Sequence, residues 1–459
     1  MKKTKNQEKR ENGVSRASSS SRRSFLKSTG LLTTGFALSG LAIPKVHAKE
    51  DNTIRVGGIG CGGRGRGAIA NAISTPGPTR LVAICDAHID RAKGTVAGFQ
   101  KDENLAPKCQ GLEDNIFGGL DGYKKVMDVL SPGDVVVLGT PPAFRPLHYA
   151  YAVKRGLHVF AEKALAVDTP GCKKMLAANA IAKQKNLKAM VGLDQRHFWR
   201  AEETIKKIHD GAIGDIVSCW VYRLQNDYGF HNNPNLSPLQ NQLLHYGGYT
   251  WLSGSYMVDW MIHNIDICCW TRKEMQPVSV QGQGGRQVRR HPDQMYDHCA
   301  YEYCFEDGVK MMVQLRQLSK GWQAFKAVIH GTKGSAVLGE GVGEPAIYKR
   351  HRETRQDMVW QSELPGNSTK QEEMNRLFKA VRDDSPFNDI DRGVHASFVS
   401  IMGRMAVDSG QELTHETCWN STYDLCPDIE NWTMDSPAPV MPQADGTYPL
   451  AIPGETKQY

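Results

Sequence analysis

Thr53–Gly67 reads Thr-Ile-Arg-Val-Gly-Gly-Ile-Gly-Cys-Gly-Gly-Arg-Gly-Arg-Gly, and its reading decides the fold. Ile54, Val56 and Ile59 predict a short buried strand. A glycine-rich turn follows at once, and Ala68-Ile69-Ala70-Asn71-Ala72 opens a helical pattern. Strand, glycine turn and helix together give G-x-G-x-x-G its meaning as a dinucleotide-binding motif. Two frames fit, Gly58/Gly60/Gly63 and Gly60/Gly62/Gly65. The second is preferred, because the strand then ends at Ile59 and the turn starts directly after it. Glycine serves there for a tight turn, close backbone approach to a pyrophosphate, and close helix–strand packing. Amides at the helix N-terminus would face the diphosphate. The competing reading is a flexible glycine loop without a ligand.

Leu81-Val82-Ala83-Ile84-Cys85 predicts the next strand, ending in Asp86. A carboxylate at that point can accept hydrogen bonds from the adenosine ribose. Ala87-His88-Ile89 follows, with no adjacent Arg or Lys to meet a 2′-phosphate. NAD is therefore favoured over NADP. Alternatively, Asp86 caps the following helix.

Further along, Asp134–Gly139 predicts a buried strand ending at Thr140-Pro141, and His148–Arg155 a helix closed by Gly156. Leu157–Ala161 predicts another strand, delivering Glu162-Lys163, and Ala189–Leu193 a further one before Gln195-Arg196. Active-site groups gather at such strand ends. Helical patterns alternate with these strands, so residues 52–194 are expected to form a doubly wound Rossmann domain. Gly60, Gly62, Gly63, Arg64, Gly65, Asp86, Thr140, Pro141, His148, Glu162 and Lys163 are the expected cofactor-binding residues.

After residue 195 strand patterns follow one another without long helices between them. That predicts an α+β domain over 195–425 with a large, mainly antiparallel, open sheet. Residues 426–459 are proline-rich and expected to be an irregular tail. Asp227–Ser255 reads as a long aromatic loop of the kind that is usually functional or disordered. It carries Tyr228, His231, His245, Tyr246 and Trp251, whose aromatic faces and polar tips suit a sugar ring. Packing beneath the loop is the plain alternative.

Gly254–Asp266 reads as one helix, with Asp259, His263 and Asp266 on one face. A carboxylate beside an imidazole orients the ring and raises its basicity. That suits a general base for a hydroxyl proton. A metal-binding face is the alternative, but no second ligand cluster accompanies it, so no metal is expected. A structural His–Asp pair is the other.

The chain has 459 residues, a net charge of +7 and eleven scattered cysteines. The charge is partly concentrated at the N-terminus. No basic stripe interleaved with aromatics points to nucleic acid. The cysteines form neither a zinc nor a disulfide framework.

Ser21-Arg22-Arg23-Ser24-Phe25-Leu26-Lys27 precedes a mild apolar run, with small residues at Val46-His47-Ala48. Residues 1–48 thus read as a twin-arginine signal cleaved after Ala48. The predicted location is exported and periplasmic, with the twin-arginine export machinery as a partner. An ordinary secretory signal or an uncleaved anchor is the alternative. Twin-arginine export carries folded proteins, so the nucleotide would travel bound and be recycled in place.

Taken together, these residues resemble the glucose–fructose oxidoreductase / inositol dehydrogenase / MocA family. The resemblance rests on the glycine turn, Asp86, Thr140-Pro141, Gly156-x-His158-Val159-x-x-Glu162-Lys163 and Asp259-x-x-x-His263, and runs to about Asp408. It implies that Lys163, Asp259 and His263 line the place where nicotinamide meets a polyol or sugar. It adds Arg196 and the long loop (Tyr228, His245, Trp251) as weaker substrate contacts. Ala164 stands where the family usually has proline, which removes a backbone constraint beside the lysine.

The implied activity is NAD(P)-dependent oxidation of a CH–OH group in a sugar, polyol or glycoside, with the nucleotide tightly retained. A second reading is a redox-neutral glycoside hydrolase using transient C3 oxidation and elimination. A third is a non-enzymatic sugar binder. Fold analogy alone suggests a homo-oligomer.

Overall fold

The apolar runs become a six-stranded parallel sheet: β1 (Ile54–Ile59), β2 (Thr79–Asp86), β3 (Ile116–Gly118), β4 (Val135–Leu138), β5 (His158–Ala161) and β6 (Ala189–Val191). The structure is a computed structural model that describes residues 52–459, apart from Tyr228, Phe230 and Glu340. The predicted signal and the candidate Tyr228 lie outside the described residues. The strand order is β3-β2-β1-β4-β5-β6. The order therefore reverses between β1 and β4, and ligands of such sheets bind at that switch, beyond the carboxyl ends. β4 is Val-Val-Val-Leu and wholly buried, as a central parallel strand covered on both faces must be. β3 falls in a stretch without hydrophobic periodicity and is recognisable only from its pairing with β2.

Six helices belong to this part of the chain: α1 (Gly63–Ile73), α2 (Ile89–Phe99), α3 (Gly122–Val129), α4 (Arg145–Arg155), α5 (Thr169–Gln184) and α6 (Trp199–His209). Asp168 caps α5, its Oδ1 accepting from the Gly171 amide at 2.7 Å. Gly156 ends α4 in the left-handed region, φ 75°.

A nine-stranded sheet forms the second lobe. Its strands are β7 (Ile216–Gln225), β8 (Ser279–Gly285), β9 (His298–Cys304), β10 (Lys310–Gln317), β11 (Ala324–Gly331), β12 (Gly334–Leu338), β13 (Ala346–Tyr348), β14 (Met358–Gln361) and β15 (Leu413–Thr414). Their order is β14-β13-β12-β11-β7-β10-β9-β8-β15. β7 and β10 pair parallel while their neighbours run antiparallel, so the sheet is mixed but mainly antiparallel. Burial alternates along β10, one face packed inward and one wetter.

The helices of this lobe are α7 (Pro238–Leu244), α8 (Thr250–Ser253), α9 (Tyr256–Asp259), α10 (Ile262–Thr271), α11 (Thr369–Arg382), α12 (Ile390–Ser409) and α13 (His415–Asn420). About half of the stretch expected as a long loop is thus short helical turns, of which α7 starts at a capping box formed by Ser237 and Gln240.

The boundary after residue 194 is not clean. Met374, Leu377, Phe378 and Val381 of α11 complete the core beneath β1, among Ile54, Val56 and Ile69. α12 packs on α5 as well as on α9, α10 and β8. The tail is irregular after residue 431 and anchored by buried Tyr448 and Gln458. No helix among the described residues is long and apolar enough to cross a membrane.

Candidate active site

The glycine turn lies at the sheet's switch point, and its geometry selects the second frame. Gly60 has φ +90°, and a Cβ there would lie 2.7 Å from the Thr140 nitrogen. A Cβ on Gly65 would lie 2.1 Å from the Gly60 carbonyl oxygen. Around Gly62 and Gly63 nothing lies within 4 Å of a built Cβ. Tight turn, open approach and close packing thus fall on Gly60, Gly62 and Gly65 in turn. α1 begins at Gly63 with no side-chain cap and no acidic residue in its first turn. That is the local chemistry of a phosphate site.

A cavity runs from this turn along the carboxyl edge of the sheet. Gly60, Gly62, Gly63, Arg64, Gly65, Asp86, Thr140, Pro141, His148, Glu162 and Lys163 all line it. Asp86 Oδ2 accepts from the Cys61 amide at 2.7 Å, and Oδ1 from the His88 amide at 2.9 Å. Its carboxylate therefore braces the glycine turn. The cap of α2 is His88, not Asp86.

Arg91, in the first turn of α2, also lines this end. The sequence expectation of no guanidinium beside Asp86 is corrected here, because the helix brings back a residue that is not adjacent in sequence. His148 stacks on Tyr123 at 4.3 Å, and its Nδ1 lies 3.2 Å from Thr140 Oγ1. Burial pushes its pKa down to about 3, so the ring is neutral. Its Nε2 is buried without a protein hydrogen-bond partner. A buried polar atom of this kind on a cavity wall fits a bound polar ligand. These features fit a dinucleotide.

Lys163 stands at the far end of this cavity and also lines a second, more polar one. Its Nζ donates to Asp259 Oδ1 at 2.9 Å and also to the Asp259 carbonyl. Tyr246 donates to Asp259 Oδ2 at 3.2 Å. The Lys163–Ala164 peptide bond is cis. Arg145 lies beneath, donating to the Leu138 carbonyl at 2.6 Å. Burial lowers its pKa to about 10, against the pull of Glu162 and Asp259.

Arg64 turns away from the glycine turn to join two carboxylates. Its Nε is 2.7 Å from Glu162 Oε1, and its Nη2 is 2.7 Å from Glu373 Oε1. Glu373, on α11, is fully buried, and burial with the nearby Glu162 charge pushes its pKa well above the usual carboxylate range. Burial works against the Arg64 charge, but Glu162 and Glu373 hold it on.

The second cavity is lined by Arg64, Glu162, Lys163, Gly192, Asp194, Arg223, Trp260, His263 and Lys370. His263 Nδ1 faces Asp194 Oδ1 at 3.7 Å, while Asp194 Oδ2 accepts from Thr369 Oγ1 at 2.7 Å. The single helix expected over 254–266 is corrected. α9 stops at Asp259, α10 starts at Ile262, and the Met261 amide donates five residues back to Tyr256 at 3.2 Å. This break separates Asp259 from His263 and Asp266, which both lie on α10. Asp259 meets Lys163, His263 meets Asp194, and Asp266 meets Arg196.

Arg196 was a substrate candidate, but it is engaged elsewhere. It binds Asp266 through Nε and Nη2, each at 2.8 Å, and Glu274 through Nη1 at 2.6 Å. Burial opposes its charge, yet those two carboxylates hold the pKa above the usual range. Trp251 is buried, donating from Nε1 to Gln242 Oε1 at 2.8 Å beneath Phe144. His245 lies on the wall of neither cavity.

Two family models match the chain. "Oxidoreductase family, NAD-binding Rossmann fold" matches residues 54–193. "GFO/IDH/MocA C-terminal domain" matches residues 202–337. The chain belongs to the GFO/IDH/MocA oxidoreductase family.

An inositol 2-dehydrogenase of Burkholderia vietnamiensis is 27% identical over 48% of this chain and 54% of its own length. A glycosyl hydrolase family 109 protein of Streptomyces coelicolor is 27% identical over 36% of this chain and 33% of its own. The chain thus spans about half and a third, respectively, of these curated relatives. Levoglucosan dehydrogenase, solved with NADH and levoglucosan, shares the fold with a TM-score of 0.60. It is 20% identical and aligns over 79% of this chain and 99% of its own.

Sequence reasoning passed over Arg91, Arg145, Asp194 and Glu373 as site residues, and passed Tyr246 over for its neighbour His245. Asp194 did carry a signal, since it follows β6 as Asp86 closes β2 and Glu162 follows β5. Glu373 carried none, being one acidic residue in an ordinary amphipathic helix.

Proposed function

We propose that this protein is an NAD-dependent oxidoreductase that oxidises a CH–OH group of a sugar, polyol or glycoside and keeps its nucleotide between turnovers. The observation that carries this reading is Lys163, ion-paired to Asp259 in a wall shared by both cavities. The glycine turn, Asp86, Thr140, Pro141 and His148 would hold the nucleotide. When bound, the nicotinamide supplies a hydride acceptor.

The chain's own residues do the rest. Asp259 and Tyr246 fix the Lys163 ammonium at the junction, where it orients a substrate hydroxyl and favours its ionisation. His263, which faces the Asp194 carboxylate, takes the hydroxyl proton as general base. Buried Glu162 and half-buried Arg64 line both cavities and form part of the floor between them. Asp86 supports NAD as the nucleotide, although Arg91 gives that end a positive charge as well.

A second reading is redox-neutral glycoside hydrolysis, which needs the same base and nucleotide. The similarity to the Streptomyces glycosyl hydrolase family 109 protein favours keeping it. Export through the twin-arginine machinery to the periplasm, with cleavage after Ala48, belongs to this proposal and rests on the Arg22-Arg23 pattern. A homo-oligomer joined through the open sheet face is likewise proposed, from fold analogy.

The deciding experiment denatures the purified mature protein and identifies any released nucleotide by mass spectrometry. Near-equimolar NAD supports the retained-nucleotide enzyme. A protein that comes empty and binds no NAD overturns it. Cleavage of a nitrophenyl glycoside without added acceptor would then select hydrolysis over two-substrate exchange.

A further inference from the structure

We infer that residues 238–246 are a strap across the nucleotide cavity, latched by His88 and Arg91, and that this latch governs how fast the nucleotide leaves. The inference rests on the reading that this cavity holds a nicotinamide dinucleotide. Most of the cavity wall comes from strand ends of the parallel sheet. Leu243, Leu244 and Tyr246 come instead from the second lobe and form its opposite side.

The segment is pinned at both ends of the cavity. Beside Asp86, Arg91 Nη2 donates to the Leu244 carbonyl at 3.4 Å, and His88 Nε2 lies 3.2 Å from the Gln240 carbonyl. A carbonyl can only accept, so Nε2 carries the hydrogen. Burial lowers the His88 pKa, which keeps the ring neutral and this tautomer in place. Leu244 closes α7, so its carbonyl is among those left without a helical partner. A guanidinium there answers both the missing bond and the negative end of the helix dipole.

At the other end, Tyr246 donates to Asp259, the partner of Lys163. The outer side of the strap is held separately. Gln242 accepts from Trp251 Nε1 and donates to the Val440 carbonyl at 2.7 Å. Leu239 is buried with Phe144 and Tyr448. A nucleotide seated at the glycine turn lies beneath this segment, and one end must lift before it can leave. The latch and the nucleotide also share a support, since Asp86 Oδ1 holds the His88 amide.

The test uses the full mature protein loaded with NADH, chased with excess NAD, and followed by nicotinamide fluorescence. Arg91→Ala and His88→Ala are each expected to speed release by roughly tenfold, the loss of one hydrogen bond at a helix end. Both side chains also line the cavity, so a third variant lies outside it. Gln242→Leu loosens the strap from its outer side and is expected to speed release as well.

Wild-type protein needs no variant for the second measurement. Amide hydrogen exchange over 238–248 is expected to slow on NADH loading. Unchanged release in all three variants, or exchange over 238–248 indifferent to NADH, overturns the strap while leaving the enzyme reading intact. A wild-type chain that binds no NADH overturns both.

Discussion

The two cavities that meet at Lys163 are assembled in opposite ways. The nucleotide cavity is mostly a row of strand ends, with Gly60 after β1, Asp86 closing β2, Thr140 after β4 and Glu162 after β5. Each residue is placed by the strand before it, and the strands are placed by one sheet. The polar cavity draws Asp194, Arg223, His263 and Lys370 from a connection, a strand and two helices far apart in sequence. A local backbone pattern can specify the first. The second exists only when the lobes share one core, which α11 and α12 provide.

This contrast predicts which substitutions separate binding from turnover. Lys163→Ala and His263→Ala should each lower turnover by about a hundredfold or more while the nucleotide stays bound. Steady-state kinetics together with mass spectrometry of released nucleotide checks both. Retained activity in both variants would break the assignment of chemistry to the polar cavity.

Arg196→Ala leaves Asp266 buried without its partner and is expected to destabilise the fold by about 3–5 kcal/mol. Denaturant unfolding measures the loss. A rise in KM for substrate without loss of stability would return Arg196 to the substrate site.

Within the glycine turn, Gly65→Ala must force backbone apart and should cost about 1–3 kcal/mol in stability along with nucleotide binding. Gly62→Ala meets no chain atom, so stability should stay within about 0.5 kcal/mol while nucleotide affinity falls. Equal effects from the two would undo the division of roles along the turn.

An effect without consequence for either cavity concerns Asp408, buried in α12 beside Arg404. Burial raises its pKa from 3.8 to about 6. The folded state therefore holds a proton more tightly than the unfolded chain, and stability falls as pH rises from about 4 to about 6. Asp408→Asn should flatten that slope, an effect on the order of 1–2 kcal/mol. Thermal midpoints across that pH range test it, and the pH profile of turnover should not move.

Where the reading from sequence stopped follows from the same contrast. The short helices α7 and α8 were masked by aromatic and glycine-rich composition, since a capping box and tertiary packing sustain helices too short to stand alone. The helix over 254–266 looked continuous because its apolar spacing crosses the break at Trp260–Met261. Each of the three residues expected on one face meets a different partner: Lys163 on Asp259, Asp194 on His263 and Arg196 on Asp266. Among the aromatic candidates of the long segment, Tyr246 rather than His245 or Trp251 reaches the site. Composition could nominate the segment but not the residue.

By itself, the amino-acid sequence determined the parallel sheet, the glycine turn with two possible frames, and Asp86, Glu162 and Lys163 at their strand ends. Hydrophobic periodicity and glycine backbone freedom act over a few residues, and those forces are readable along the chain. Tertiary structure alone decided that Asp194 rather than Asp259 faces His263, that Glu373 holds Arg64, that Arg196 is tied into a buried ion cluster, and that Leu243, Leu244 and Tyr246 join the wall of the first cavity. Each of those is a pairing of charges or surfaces far apart in sequence, and such pairings are chosen by packing, which no local pattern records.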